Sequence, residues 1–170
     1  MKMFGPKSFS HILFYLFRAI AISILLFTAY IDISFLTGNF TQENGRYFID
    51  IPLTRTFIEG DYQFNVILTI SLGLIFGAIF FFVLSNIFKG LREKIIFNKI
   101  AINSLSYFTI LNLVVGPILY LLIHFIIMRK DNYRDIHNLI LHIIFGVIAL
   151  FLTYIFKQGT QVQQENDLTI

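Results

Sequence analysis

The chain has 170 residues, of which 56% are hydrophobic and only 14% are charged, and its formal net charge is +3. A soluble domain carries about 25% charged residues, so this composition excludes an ordinary soluble domain and predicts an integral membrane protein. The small net charge gives no sign of nucleic-acid binding, and we expect no direct binding of nucleic acid. The absence of cysteine excludes disulfides, thiolate metal sites and thiol catalysis.

Four apolar stretches are long enough to cross a bilayer, which takes roughly 20 helical residues. They cover about residues 12–31, 64–88, 102–128 and 139–156, and none has the periodic polar face that a soluble bundle presents to water. Lys2 and Lys7 precede the first stretch as in a signal peptide, but no A-x-A-like cleavage site follows, so we expect a retained anchor. The sequence therefore predicts an all-α membrane protein, with a four-transmembrane-helix bundle forming one domain over residues 1–170.

The segment 32–63 is the only sizeable region outside these spans. Its stretch TGNFTQENG is typical of turns and loops. The stretch YFIDIPLTRTFI alternates at Tyr47, Ile49 and Ile51, which indicates a short strand or β-hairpin lying over the helix ends. Because the segment is too small for a core of its own, we interpret it as either a cap on the bundle or a sensor lid.

The lysines and arginines outside the apolar stretches predict the orientation, because cytoplasmic loops of membrane proteins are enriched in them. With the N-terminus inside, the cytoplasmic set is Lys2, Lys7, Arg18, Lys89, Arg92, Lys94, Lys99 and Lys157, and the outer set is Arg46, Arg55, Arg129, Lys130 and Arg134. The larger inner set, concentrated in the short loop KGLREKIIFNK, predicts that both termini are cytoplasmic and that segment 32–63 is extracytoplasmic.

The loop between the second and third spans mixes apolar residues with cations. Its cations are Lys89, Arg92, Lys94 and Lys99, and its apolar residues are Leu91, Ile95, Ile96 and Phe97. This mixture is typical of an interfacial helix that lies on anionic lipid headgroups. The alternative is a docking surface for a cytosolic partner, made by the same four cations.

Polar side chains inside the spans are costly in lipid and are therefore candidates for function or for helix association. Arg18 lies about two turns into the first span, from where its long side chain can reach the inner headgroups. Gly116-Pro117 should kink the third span. We expect helix–helix hydrogen bonds from Ser71, Asn86, Asn103, Ser106 and Asn112.

His124 and His142 lie near the adjoining ends of the third and fourth spans. Antiparallel packing would place both imidazoles at similar depth, where they could hold a metal ion or a haem iron. The alternatives are hydrogen bonds to a neighbouring helix and a pH-sensitive role. No carboxylate and no recognised metal-ligand spacing accompanies the two histidines in these spans.

The chain closes with FKQGTQVQQENDLTI, a polar stretch that follows the last span. This stretch resembles the C-terminal signature of the bacterial membrane-protein family called domain of unknown function 2975. The matching residues are Lys157, Gly159, Gln164, Glu165, Asn166, Asp167, Leu168 and Thr169. The four-span layout agrees with the resemblance, although the glycine that members often carry before Phe97 is missing. Gly159 would also suit a helix stop, and continuation of the helix stays open.

The resemblance implies a small, multi-pass protein of the bacterial cytoplasmic (inner) membrane, without established activity and often described beside a small helix-turn-helix regulator. The sequence contains no nucleophile–base pair, phosphate-binding loop or carboxylate pair, so we expect neither an enzyme nor a bound cofactor. We expect a membrane sensor or regulator whose inner loop and polar tail, residues 157–170, bind a cytosolic partner; within the tail, Gly159, Glu165, Asn166 and Asp167 are the candidates. The alternative is a small transporter or a haem- or metal-binding carrier that uses His124 and His142. Self-association into a homo-oligomer stays open.

Overall fold

The computed structural model describes residues 2–132 and 136–168, with side chains as far as residue 166. Its elements are α1 (Phe9–Thr37), β1 (Thr41–Glu43), β2 (Arg46–Asp50), β3 (Phe57–Asp61), α2 (Phe64–Leu91), α3 (Lys99–Ile110), α4 (Gly116–Leu121) and α5 (Ile136–Leu168). The π-helical segment Leu111–Val115 joins α3 to α4, and a second one, Leu122–Ile127, continues α4; together they form one long helix, called here the third helix. Arg134 of the outer cation set and Thr169 of the tail lie outside the described residues.

Four helices are long and apolar enough to cross a membrane. Their apolar side chains lie mainly on the outside of the bundle, and in the most apolar 18-residue window of α2 only 6% of the residues are buried. Leu26 and Phe151 are 66% and 67% exposed. A soluble bundle presents polar residues on this surface, whereas an apolar surface suits hydrocarbon. The prediction of four apolar helices is confirmed, and the helices extend beyond the apolar stretches except at the start of α2 and the end of the third helix.

A three-stranded antiparallel sheet, in the order β1-β2-β3, lies between α1 and α2 in the chain. α1 ends at Thr37 and is capped by Gly38, whose positive φ of 71° lets the chain leave the helix axis. β1 and β2 form a hairpin around Asn44-Gly45, where φ is 51° and 77°, as a two-residue turn of type I′ requires. The predicted strand or hairpin is therefore part of a sheet, and the stretch expected to be only turn and loop contains β1.

One face of the sheet packs on the ends of α1 and α2. Tyr47 and Ile49 of β2 are buried and pack with Ile31 of α1, while their neighbours along the strand are more exposed. The Tyr30 hydroxyl of α1 also donates a hydrogen bond to the Asp50 carbonyl. Every second side chain of a strand turns to the same face. The alternation along YFIDI therefore comes from a strand with one face on the helix ends, as the sequence predicted.

The helices pack in chain order, α1 on α2, α2 on the third helix, and the third helix on α5. Two glycines permit close approach. A Cβ at Gly90 would lie 2.6 Å from the Ala101 backbone nitrogen, and one at Gly146 would lie 2.5 Å from Leu113 Cγ. Small residues at such crossings let helices associate by van der Waals contact in lipid, where burial from water gives no driving force.

The third helix widens into π-helical turns on both sides of α4. Pro117 has no amide hydrogen, and its ring crowds the carbonyl four residues earlier. The Gly116 amide donates instead to the Leu111 carbonyl, five residues earlier, and the Met128 amide donates likewise to the Ile123 carbonyl at 2.9 Å. Where the sequence predicted a kink at Gly116-Pro117, the helix thus has π-helical turns, which are frequent at functional sites.

In the part of the chain that the structure describes, three pairs of polar side chains bond between helices. The pairs are Arg18–Asn86 at 2.6 Å, Asp32–Ser71 at 2.6 Å and Asn112–His142 at 2.8 Å. These contacts confirm the predictions for Ser71, Asn86 and Asn112. The prediction for Ser106 is wrong, because its hydroxyl donates to the Ile102 carbonyl of its own helix, and Asn103 lies exposed on the surface.

The bundle has two ends, which we call the sheet end, after β1–β3, and the loop end, after residues 92–98. The N-terminal segment lies at the loop end, where the Gly5 amide donates to the Leu91 carbonyl at 3.1 Å. The last part of α5 reaches the same end, where Gly159 contacts Phe97. α5 does not stop at Gly159 but continues to Leu168, so the polar tail is helical as far as it is described.

Candidate functional site

The loop of residues 92–98 is irregular, and Asn98 organises it. The Asn98 side-chain oxygen accepts a hydrogen bond from the Ala101 amide at 2.9 Å and so caps α3. Its side-chain NH2 group donates to the carbonyls of Gly90 at 2.9 Å and Ile95 at 2.6 Å. One side chain therefore ties the loop to both flanking helices. The expectation of an interfacial helix here is wrong, because loop carbonyls bond to Asn98 instead of forming a helical ladder.

The loop docks on the part of α5 that continues beyond the predicted span. The Phe97 ring lies edge-on to the Phe156 ring, with centroids 5.2 Å apart. It also lies so close to Gly159 that a Cβ there would stand 2.6 Å from the ring. The Thr160 hydroxyl lies 3.4 Å from the Phe97 carbonyl. Gly159 thus leaves room for the Phe97 ring and does not act as a helix stop.

A groove of about 430 Å³ lies between the docked loop and α5, and we call it the loop-end groove. It is lined by Lys94, Ile95, Ile96, Phe97, Gly159, Val162, Gln163 and Asn166. Apolar side chains come from both sides of the groove, and one cation and two amides add polar groups. The inner loop and the tail, which the sequence proposed separately as partner-binding regions, therefore meet in one concave surface.

The tail contributes two of its proposed residues directly to this groove. Gly159 and Asn166 line it together with Lys94 of the loop. Glu165 is an exposed neighbour on α5. The side chain of Asp167 lies outside the described part of the chain. The tail is helical, and residues three and four apart share one face of a helix. Gly159 and Asn166 therefore face the groove together, whereas Glu165 lies beside it.

The three remaining loop cations lie apart from the groove. Lys89 is exposed in the last turn of α2, and Lys99 is exposed at the first position of α3. Arg92 turns towards α1, where its guanidinium carbon lies 4.3 Å from the centroid of the Phe14 ring. Of the four cations, Lys94 lines the loop-end groove, and Lys89, Arg92 and Lys99 do not.

A cavity of about 400 Å³ lies at the sheet end between α2, the third helix and α5, and we call it the sheet-end cavity. His124 and His142 both line it, among mainly apolar side chains. The hydroxyls of Thr69 and Tyr120, two further lining residues, are buried without a hydrogen-bond partner in the part of the chain that the structure describes. A buried polar group without a partner costs roughly 1–3 kcal/mol, so a molecule that accepts these hydrogen bonds would stabilise the protein.

Hydrogen bonds indicate which ring nitrogen of each histidine carries the proton. The Asn112 side-chain NH2 donates to the Phe108 carbonyl at 2.8 Å, so its oxygen accepts from Nδ1 of His142 at 2.8 Å. Nε2 of neutral His142 is then an acceptor. His124 bonds through Nε2 to the Asn132 carbonyl, which leaves its Nδ1 as the acceptor. Each imidazole is thus oriented by an amide oxygen.

The two imidazoles lie at different heights along the third helix. His142 Cγ lies 3.3 Å from the Cβ position of Gly116, whereas His124 follows Gly116 by eight residues, roughly 12 Å along an α-helix. A metal ion binds imidazole nitrogens at about 2 Å, so this offset disfavours a shared ion. The described residues contain no group of three or more His, Cys, Asp or Glu side chains that could hold a metal. The geometry favours two separate hydrogen-bonding groups on one cavity.

Known proteins add nothing to these two sites. No family model, no curated protein and no solved structure matches this chain. The resemblance to domain of unknown function 2975 therefore depends on the sequence features described above, chiefly the residues of the tail.

Proposed function

We propose that this protein is a non-enzymatic membrane regulator that binds a cytosolic protein in the loop-end groove. One observation carries the proposal: the 92–98 loop and the last turns of α5 are held together so that they form a single groove. A loop that only connects α2 to α3 does not require a helix from elsewhere in the chain to pack against it. The docked pair instead forms a surface of defined shape, which is what a specific partner requires.

The proposal requires the loop end to face the cytoplasm. The positive-inside tendency supports this orientation, because exposed lysines cluster there at Lys89, Lys94, Lys99 and Lys157. The sheet would then lie outside the membrane, and both chain ends would lie inside. For a bacterial protein, which the tail resemblance implies, the membrane would be the cytoplasmic one.

The groove suits an acidic segment with an apolar face. Ile95, Ile96 and Val162 offer apolar surface to such a segment, as in complexes where an amphipathic helix lies in a groove. Lys94 on the groove favours acidic residues at the edge of that segment. The tail resemblance suggests one candidate for this acidic, amphipathic segment, namely a helix of a small helix-turn-helix regulator.

Crosslinking in native membranes tests this function. Val162 lines the groove and is 57% exposed, so Val162→Glu places a charge in the groove that repels an acidic partner. Gln161 is also exposed but does not line the groove, so Gln161→Glu is the matched control. We expect the full chain and the control to retain a soluble protein that mass spectrometry identifies and that rebinds after purification. Val162→Glu and removal of residues 158–170 should lose it.

Two results would refute the proposed regulator. In one, the full-length chain retains no soluble protein. In the other, Val162→Glu and Gln161→Glu weaken retention equally, which would mean that general charge and not the groove governs binding.

A second candidate function is a sensor or carrier of a small amphipathic molecule. The observation that favours it is the pair of unpartnered hydroxyls of Thr69 and Tyr120 in the wall of the sheet-end cavity. A ligand that accepts from these hydroxyls and donates to Nε2 of His142 would satisfy all three groups. α5 carries His142 at this cavity and Val162 at the loop-end groove, so one rigid helix connects the two sites.

Filling the sheet-end cavity tests the second candidate. Gly73 lines the cavity and has no atom within 4 Å of its Cβ position, and Gly77 has equal space but does not line it. We expect mass spectrometry of organic extracts to find a small molecule in the purified wild-type chain and in Gly77→Leu, but not in Gly73→Leu. Identical extracts from all three proteins would contradict this function.

A further inference from the structure

Two guanidinium groups at the loop end share one aromatic ring. The guanidinium carbons of Arg18 and Arg92 lie 5.3 and 4.3 Å from the centroid of the Phe14 ring. Both distances end at the same centroid, so the two charges lie within about 10 Å of each other, the Debye length in 0.1 M salt. Arg18 belongs to α1, and Arg92 directly follows α2, so the pair lies where these two helices meet the loop end.

Arg18 is partly buried, and its side chain bonds across to α2. Its Nη2 donates to the Asn86 side-chain oxygen at 2.6 Å, and its guanidinium carbon lies 3.9 Å from the Phe82 ring centroid. Its Nε is buried without a hydrogen-bond partner. Among the residues that the structure describes, no carboxylate lies within ion-pair distance of Arg18 or Arg92.

Within the described part of the chain, this arrangement leaves two positive charges without a counter-ion next to an apolar span. Aromatic rings and an amide oxygen attract a guanidinium, but they do not cancel its charge. Arg18 lies within α1, where a cation is costly in hydrocarbon, and it is repelled by the nearby like charge of Arg92 in the adjoining loop. An anion between them would remove both penalties, and the planar fork of arginine matches phosphate oxygens.

A wholly apolar groove begins beside Arg18 and indicates the kind of phosphate that fits. The groove has a volume of about 220 Å³ and lies between α1 and α2. It is lined by Ala21, Ile22, Leu25, Ile75, Ala78, Ile79 and Phe82. Ala21 follows Arg18 by nearly one helical turn, and Phe82 is the ring on which Arg18 stacks. Cationic and apolar surfaces are therefore continuous.

We propose that the cleft formed by Arg18, Arg92 and this apolar groove binds an anionic phospholipid, with its phosphate at the two guanidiniums and one acyl chain between α1 and α2. Phosphate charge alone could also come from solution. The apolar groove selects the lipid, because a free phosphate has no chain to bury there and would lose its hydration next to the span.

Native mass spectrometry of the purified full chain tests the site, with long-chain phosphatidylglycerol and phosphatidylcholine as probes. We expect one phosphatidylglycerol to bind in preference to phosphatidylcholine. Arg92→Gln and Arg18→Gln should each weaken that binding about tenfold or more, the effect of losing one charge-assisted hydrogen bond. Lys157→Gln removes an equal charge from an exposed position on α5 and should leave binding unchanged. A short-chain phosphatidylglycerol should bind more weakly than the long-chain lipid.

The outcomes separate the lipid from other occupants. Displacement of the lipid by millimolar inorganic phosphate, or equal binding of short and long chains, would overturn the acyl-chain assignment. Equal losses in Lys157→Gln and Arg92→Gln would show diffuse charge attraction in place of a site. A dimer that Arg92→Gln converts to a monomer would assign the cleft to a second copy of the chain.

Helical content and melting temperature in detergent show whether each variant is folded. Arg92 lies in the loop and outside the spans, so Arg92→Gln carries the test even where Arg18→Gln fails to fold. No cytosolic partner is present in this measurement, so its result is independent of the loop-end groove.

Discussion

Gly159 decides whether the 92–98 loop can lie on α5. A Cβ at this position would stand 2.6 to 2.7 Å from three carbons of the Phe97 ring, whereas ordinary contacts begin at 3.4 Å. Gly159→Ala therefore forces the ring to move by nearly 1 Å. Because Phe97 belongs to an irregular loop and is 36% exposed, we expect the loop to move away and α5 to keep its course.

The substitution has two energetic effects, on two different quantities. Overpacking costs roughly 1–3 kcal/mol, and this cost falls on the free energy with which the loop docks on α5. Alanine in place of glycine stabilises a helix by about 1 kcal/mol, and this gain belongs to α5 itself. We therefore expect loop docking to weaken about 5- to 150-fold, while the free energy of unfolding of the whole protein changes little.

A crosslinking assay measures loop docking directly. The natural chain contains no cysteine, so cysteines placed at Lys94 and Gln163, on the two sides of the loop-end groove, are the only thiols. A short bismaleimide should join them rapidly in the otherwise wild-type chain and at least about fivefold more slowly in Gly159→Ala. In a Phe97→Ala background the clash is absent, so Gly159→Ala should then have no further effect.

Two results would refute this reasoning about Gly159. Unchanged crosslinking in Gly159→Ala would mean that the ring does not occupy the space of the missing side chain. An equal decrease with and without the Phe97 ring would mean that the alanine acts through α5 and not through the loop.

Three further predictions concern the sheet and the interhelical polar contacts. Gly60→Ala would place a Cβ 2.7 Å from the Tyr47 hydroxyl and should lower stability by roughly 1–3 kcal/mol in thermal unfolding, whereas Gly73→Ala, with nothing within 4 Å, should not. Burial raises the pKa of Tyr47 above its ordinary value of 10.0, so its contribution to stability is complete below that pH and is lost as pH rises through the folded-state pKa; Tyr47→Phe should lack this alkaline loss. Asn112→Leu leaves Nδ1 of His142 without its acceptor and should cost roughly 1–3 kcal/mol, and a double-mutant cycle with His142→Phe should show that the two losses do not add.

The four long helices follow from the sequence because lipid leaves the backbone few choices. A spanning segment must satisfy its own hydrogen bonds, and a long apolar helix does so. The ends of the helices depend on other contacts. α5 continues past Gly159 to Leu168, since the missing side chain serves contact with Phe97 and not a turn.

Part of the sheet could be predicted from the sequence. Alternation at Tyr47 and Ile49 identified β2, and the Asn44-Gly45 pair is a strong hairpin signal that also predicts β1. The polar residues that precede this pair, in the stretch TGNFTQENG, favoured a loop over β1. Exposed strands at an edge lack the apolar alternation on which strand recognition depends, and all three residues of β1 are exposed.

The sequence by itself determined that the chain forms four long helices apolar enough to cross a membrane, and it determined which residue types are concentrated near each end of them. Only the tertiary structure decided that Phe97 meets Gly159, that Arg18 and Arg92 share the Phe14 ring, and that Thr69 and Tyr120 line one cavity. The reason is physical. Hydrophobic periodicity and helix length are local properties of the chain, whereas these contacts join residues distant in sequence, and the packing of whole helices decides which of them meet.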